Sequence, residues 1–231
     1  MNKTSIAYAD FTWNPMIGCS YASEGCRNCY AQRLASTRLA HLPRYAGLTT
    51  GGRWNGIIRL LPERLDEPMR RRKPAVIFVG DMGDLFHPGV PSEFIAAVWA
   101  RMIAAHQHTY LVLTKRPKRM LDTITDPSFY NAVLDATEGI RRKFMLAYLV
   151  GVSNPSRSPK KNIWLGTTVE DQQRANERVP LLLQCPAAVR FVSAEPLLEE
   201  IDFRQVKDPP GYSRVAEFSA RNTPLGSLDW I

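Results

Sequence analysis

Three cysteines within eleven residues, Cys19, Cys26 and Cys29, are the groups in this sequence best suited to chemistry. They form a C-x6-C-x2-C pattern running from Gly18-Cys19 to Gly25-Cys26-Arg27-Asn28-Cys29-Tyr30. A C-x2-C pair can place two thiolates on one metal centre, and the upstream cysteine can loop back to join them. Gly18 and Gly25 each precede a cysteine and permit the close backbone approach that such a loop needs. The residues after Tyr30 read as a helix through Ala31-Gln32-Arg33-Leu34-Ala35. The last thiolate then lies near a helix N-terminus, where negative charge is favoured. Three states fit the spacing. Structural zinc requires four closed ligands, and the fourth would come from His41, His87 or Cys185, none at a characteristic spacing. A four-iron cluster on three thiolates leaves one iron open to a small molecule, the mark of a catalytic rather than a structural site. Metal-free thiols are the third state. The remaining cysteine, Cys185, closes an apolar helical stretch and reads as a small core residue.

A second set of polar residues follows the expected strands. The run ending at Val79 leads into Gly80-Asp81-Met82-Gly83-Asp84-Leu85-Phe86-His87, and the one ending at Leu113 into Thr114-Lys115-Arg116-Pro117. Two others lead into Thr167-Thr168-Val169-Glu170-Asp171 and Ser193-Ala194-Glu195-Pro196. Capping or loop solvation explains any one of these clusters, with Asp84 and Asp171 as candidate helix caps. Parallel α/β folds, however, place ligands at the carboxyl ends of their strands. A pocket lined by Asp81, Lys115, Glu170 and Glu195 would hold a small zwitterion, acids meeting the ammonium and the lysine meeting the carboxylate.

The elements that position these groups alternate. Ala75–Val79, Thr109–Leu113, Ile163–Thr167 and Val189–Ser193 read as buried strands, and Ile57–Leu60 as a weaker one. Helices are predicted over Pro62–Arg72, Pro91–Met102, from Pro117 onward and over Asp171–Gln184. Such units build a parallel sheet covered by helices, and both a doubly wound sheet and a TIM-type barrel satisfy the pattern. No Gly-rich dinucleotide fingerprint opens the first unit. The expectation is therefore one α/β domain over 1–231, a parallel (β/α) barrel or partial TIM-like barrel. It carries the cysteine loop at 19–29 and irregular loops at 152–161 and 204–227.

Composition sets the surroundings. The chain is 45% hydrophobic and 23% charged, as expected of a globular domain, with no apolar run of the roughly 18 residues that a membrane span needs. The first ten residues lack the apolar core of a signal peptide, so a cytoplasmic location without membrane attachment is expected, and reduced or metal-bound cysteines over disulfides. The net charge of +8 raises the prospect of a nucleic-acid or other polyanionic partner. The densest basic run, Arg70-Arg71-Arg72-Lys73, equally suits a solvated helix end. A non-catalytic module, stapled by zinc or an inert cluster and binding nucleic acid or a phage or host protein, is thus the alternative to an enzyme.

Six stretches carry a family resemblance: Thr12-Trp13-Asn14-Pro15 to Gly18-Cys19, Gly25–Ala31, Asp81–His87, Leu113–Pro117, Trp164–Asp171 and Arg190–Leu197. Together they resemble the phage- and prophage-associated three-cysteine-motif proteins, a group distantly similar to radical SAM enzymes of the spore photoproduct lyase type. The usual radical SAM loop is C-x3-C-x2-C, so only the final C-x2-C with its following Tyr30 corresponds. The resemblance implies that Cys19, Cys26 and Cys29 bind a [4Fe–4S] cluster whose open iron is chelated by S-adenosylmethionine. Reductive cleavage of that cosubstrate would then give a radical that abstracts hydrogen from a substrate, with nucleic acid one candidate. Asp81, Lys115, Glu170 and Glu195 become contacts to cosubstrate or substrate. Members of the group resemble longer chains continuing past Leu228-Asp229-Trp230, so a C-terminally truncated, incomplete barrel is expected here.

Overall fold

A computed structural model describes residues 1–144, 160–209 and 228–230. Its elements in chain order are β1 (Asn2–Lys3), β2 (Phe11–Trp13), β3 (Met16–Ile17), α1 (Tyr30–Ser36), β4 (Thr49–Thr50), β5 (Arg53–Trp54), β6 (Arg59–Leu60) and β7 (Val76–Val79). Then follow α2 (Ser92–Ala104), β8 (Thr109–Thr114), α3 (Pro117–Thr125), α4 (Pro127–Phe144), β9 (Ile163–Thr168), α5 (Gln172–Gln184), β10 (Val189–Ser193) and β11 (Leu228–Trp230). Seven strands form one sheet in the order β1-β2-β7-β8-β9-β10-β11. β1 is antiparallel to β2, and every pair from β2 to β11 is parallel. The sheet is open, with β1 and β11 as its edges. A closed TIM barrel is therefore not what these residues form. Nor does the strand order reverse, as a doubly wound sheet requires.

That unidirectional order has a physical consequence. Parallel crossovers are right-handed, so successive units winding one way place their helices on the same face. Ile77, Val79, Tyr110, Val112, Ile163, Leu165 and Val192 pack with the helices in the main core. The alternate residues Phe78, Leu111 and Phe191 face the other way, beneath Ile6, Tyr8 and Ala9 from the segment joining β1 to β2. Both faces are covered, which is why the strands read as continuous apolar runs. Gly166 matters on the second face: a Cβ there would stand 2.4 Å from the Phe191 ring, its partner across the β9–β10 register.

Three local expectations change. The helix over Pro62–Arg72 is instead two 3-10 turns, Pro62–Arg64 and Pro68–Arg70, because Pro68 lacks the N–H that an interior helical residue must donate. The basic run consequently ends a 3-10 turn and no α-helix, and the Arg71 guanidinium lies 4.2 Å from the centre of the Phe11 ring. α4 has no counterpart among the expected helices, although Phe129, Val133 and Ile140 are buried at helical spacing and Phe129 packs edge-on to Trp99 of α2. The loop expected at 152–161 lies outside the described residues except for 160–161, and of 204–227 only 204–209 are described.

One core polar group predicts a pH dependence. His108 is 1% exposed; its Nε2 donates to the Pro68 and Arg71 carbonyls at 3.1 Å each, while Nδ1 is buried without a partner among the described residues. Burial lowers its pKa from the ordinary 6.5, since protonation would add an N–H with no acceptor. The unfolded chain takes that proton first, so the contribution is complete above pH 6.5 and is lost as the pH falls below it. Urea unfolding from pH 7.5 to 5.5 is expected to show stability declining by up to about 1.4 kcal/mol per pH unit from this group. The slope should shrink in His108→Gln. Equal slopes in the two proteins would refute the assignment.

Candidate cysteine-loop site

The cysteine loop leaves β3 and crosses the carboxyl ends of β7, β8 and β9. At its start Gly18 adopts φ +99°, and a Cβ there would stand 2.2 Å from the Ile57 carbonyl oxygen. The Gly18 amide donates to the Met82 carbonyl at 3.1 Å, and the Cys19 carbonyl accepts from the Gly56 amide at the same distance. Cys26 ends a 3-10 turn over Glu24–Cys26. Cys29 immediately precedes α1, as the sequence predicts, and its carbonyl accepts from the Arg33 amide at 3.1 Å.

Arg116, just beyond β8, ties the first cysteine down. Its Nη2 donates to the Ser20 carbonyl and to Ser20 Oγ, each at 3.0 Å, and its Nη1 lies 3.8 Å from Cys19 Sγ. Asp84 holds the guanidinium at 2.8 Å while accepting from Thr114 Oγ1 at 2.7 Å and the Phe86 amide at 2.9 Å. Asp84 is therefore an anchor for Arg116 rather than a helix cap; Asp171 does cap α5, accepting from the Arg174 amide at 2.6 Å. His87 Nδ1 accepts from the Gly89 amide, so its Nε2 carries the proton and donates to Ser20 Oγ at 2.8 Å. Burial and the Asp84 charge push the Cys19 thiol up to about 12, against the opposing pull of Arg116. Ligation would have to supply the positive charge that holds it as a thiolate.

Glu170, just beyond β9, secures the second cysteine from below. Its side chain is fully buried. One oxygen accepts from Arg178 Nη1 at 2.9 Å and faces Lys115 Nζ at 3.5 Å. The other accepts from Ser23 Oγ, and a Cβ on Gly25 would approach it to 2.8 Å. The Lys115 ammonium is buried with no hydrogen-bond partner among the described residues. Burial lowers its pKa, while the nearby charges of Glu170 and Cys26 act to raise it. Of the four strand-end residues expected to form a pocket, Lys115 and Glu170 thus meet beneath the loop. Asp81 instead accepts from Asn14 Nδ2 at 2.5 Å, its pKa raised by burial, and its carbonyl accepts from the Tyr30 hydroxyl at 3.0 Å. Glu195 is exposed beyond β10, where its charge acts on Tyr8.

Among the described residues no group of three or more His, Cys, Asp and Glu side chains is gathered for a single metal ion. Thiolates on a four-iron cluster bind separate irons, so that geometry is not required of them. A cluster would draw on Cys19 and Cys26, which lie within each other's electrostatic reach and are flanked by Arg116 and Lys115. The other zinc-ligand candidates are engaged differently, His87 beside the loop itself. Cys185 is buried with its thiol directed at the Leu181 carbonyl, His41 is exposed, and His87 is held by Ser20 and Gly89. Residues 3–231 match the family model described as "Protein of unknown function (DUF5131)". The chain belongs to the DUF5131 family. No curated protein and no solved structure matches it.

In this DUF5131 chain the residues that sequence reasoning missed as site components are Ser20, Ser23, Asp84, Arg116 and Arg178. Asp84 and Arg116 stood inside the strand-end clusters, within three positions of the residues chosen. Arg178 and the two serines had no signal of their own, since Ser23 and Glu170 are separated by 147 positions.

Proposed function

We propose that this chain is a cytoplasmic iron–sulfur protein of radical SAM type, its parallel sheet a partial barrel and its cysteine loop the seat of a [4Fe–4S] cluster. The observation that carries this reading is the docking of the three-cysteine loop on the carboxyl ends of β7, β8 and β9 through Met82, Arg116 and Glu170. Strand order following chain order supports the barrel kinship, and the resemblance to three-cysteine-motif proteins supports the chemistry. Cys19, Cys26 and Cys29 would hold the cluster. When bound, it supplies the electron for reductive cleavage of S-adenosylmethionine. Arg116 orients the Cys19 segment through Ser20. Lys115, its ammonium buried and lacking a hydrogen-bond partner among the described residues, balances negative charge on the thiolate side and is suited to an anionic group of the cosubstrate. Glu170 offsets Lys115 and Arg178 and keeps Ser23 and Gly25 in place.

Anaerobic purification with iron, sulfide and zinc analysis tests the reading. About four irons and four sulfides per chain are expected, with both lost in Cys29→Ala. One zinc and no sulfide would replace the cluster with a structural metal and the enzyme with a metal-stapled binding protein.

A further inference from the structure

The chain's net positive charge is concentrated in one stretch. From Gly25 to Pro62 the sequence holds six arginines (Arg27, Arg33, Arg38, Arg44, Arg53 and Arg59) and no Lys, Asp or Glu. Six of the chain's net +8 therefore come from this one stretch. It folds as a small lobe beside the cysteine loop: α1, the β4–β5 hairpin, and β6 paired with β3. Its own core of Ile17, Ala31, Ala35, Tyr45, Leu48 and Leu61 includes Cys29 at its margin. All the arginines but Arg59 are exposed. Arg27 pairs with Glu24. Among the described residues Arg33, Arg38, Arg44 and Arg53 form no ion pair with a carboxylate. Arg59 serves the fold, donating to the carbonyls of Pro43, Arg44 and Ala46.

Large exposed apolar side chains collect at the same place. Tyr21 (58% exposed), Tyr30 (45%) and Ile57 (52%) all belong to the cysteine loop or to residues that adjoin it. Exposed aromatics beside unpaired guanidinium groups combine stacking faces for bases with a forked donor set for phosphate. An acidic protein would satisfy the charge, but it gives no reason for two exposed tyrosine rings or for arginine to the exclusion of lysine.

We propose that the arginine lobe, with Tyr21 and Tyr30, binds single-stranded nucleic acid, its phosphates on Arg33, Arg38 and Arg53 and its bases stacked at the rim of the cysteine loop. The inference rests on the proposed function only in giving that strand the role of substrate. Binding itself requires no cluster.

The test is fluorescence anisotropy of a labelled single strand of about 20 nucleotides, long enough to span such a site. It is titrated with the full chain, in metal-free and iron-reconstituted forms, across a salt series. The expected result is binding in both forms that weakens with salt. The triple variant Arg33→Gln/Arg38→Gln/Arg53→Gln should reduce the slope of log K against log salt by about 2, at about 0.7 for each phosphate no longer neutralised. Tyr21→Ala/Tyr30→Ala should weaken binding about tenfold or more without changing that slope. Arg72→Gln/Lys73→Gln, outside the lobe, is the control and should leave the slope intact. Circular dichroism and thermal melts matching the parent confirm that the variants fold. Unchanged oligonucleotide binding in the triple variant would overturn the proposal. So would equal affinity for polyglutamate, because the surface would then read charge alone. Oligonucleotide binding by a protein that takes up no iron would sustain this inference while defeating the radical SAM reading.

Discussion

Glu170→Ala is expected to lower the stability of the chain by about 3–5 kcal/mol, the usual consequence of removing one member of a buried ion pair. The reason lies in what remains. Arg178, 6% exposed in its side chain, keeps among the described residues only the Thr168 carbonyl at 2.8 Å as acceptor. Lys115, already held down by burial, loses the carboxylate that opposes that shift, and Ser23 loses its acceptor. Urea unfolding by circular dichroism measures the change, with an unaltered m-value showing that stability and not compactness moved. Adding Arg178→Leu to the same chain should recover part of the loss, because replacing both charges by apolar groups is often close to neutral. A drop below about 1 kcal/mol in the single variant would show that the pair is solvated, and Glu170 would no longer count as the anchor of the loop.

The same residue shows what the sequence made legible. A carboxylate following a parallel strand marks the right rim of the sheet, and Glu170 does lie on that rim. Spacing cannot show whether such a carboxylate faces a ligand or the protein. Here Arg178, 8 positions on in α5, and Ser23, 147 positions back, occupy its oxygens. The strands β7, β8, β9 and β10 were legible almost to the residue because burial on both faces leaves a continuous apolar run that turn residues interrupt. β1 to β6 were not, apart from a trace at Ile57–Leu60. Two- and three-residue strands exist because a distant partner supplies their hydrogen bonds, as Thr12 opposite Phe78 does for β2. A pattern of period two needs more residues than they have.

Charge was legible in total but not in place. The contiguous run at Arg70–Lys73 draws the eye, yet Arg71 covers Phe11. The arginines that dominate the net charge are spread singly between apolar and small residues from Arg27 to Arg59. Folding α1 against β5 brings Arg33 and Arg53 onto neighbouring elements, an assembly that a search for charge blocks overlooks. The absence of acids over that stretch was available in the sequence and is the signal that would have found the lobe.

Gly18→Ala is expected to release Cys19 while leaving the main core intact. Two penalties coincide at this position. A side chain at φ +99° is strained, by roughly 1–2 kcal/mol in the left-handed region. The added Cβ would also meet the Ile57 carbonyl at 2.2 Å, and backbone cannot swing aside as a flexible side chain can. The loop start must then move away from Ile57, taking Cys19 and Ser20 from Arg116 and breaking the amide bond to Met82. In the parent, with chelator present, Cys19 and Cys185 should react slowly with a disulfide reagent. Both thiols are raised from 9.0 to about 12, and the thiolate falls about tenfold for each unit. In the variant Cys19 should be labelled at least about tenfold faster as burial and the Asp84 charge cease to act on it, whereas Cys185, buried at the C-terminal end of α5, should not change. Peptide mapping by mass spectrometry assigns each rate to its cysteine. Unchanged Cys19 labelling with an unchanged melting curve would mean that the segment accommodates a side chain, and the glycine would lose its place in the argument for a tightly seated loop. Faster labelling of both cysteines would mean general unfolding instead. Only selective release of Cys19 supports a loop held at the strand ends by backbone contact, the arrangement on which a cluster seat depends.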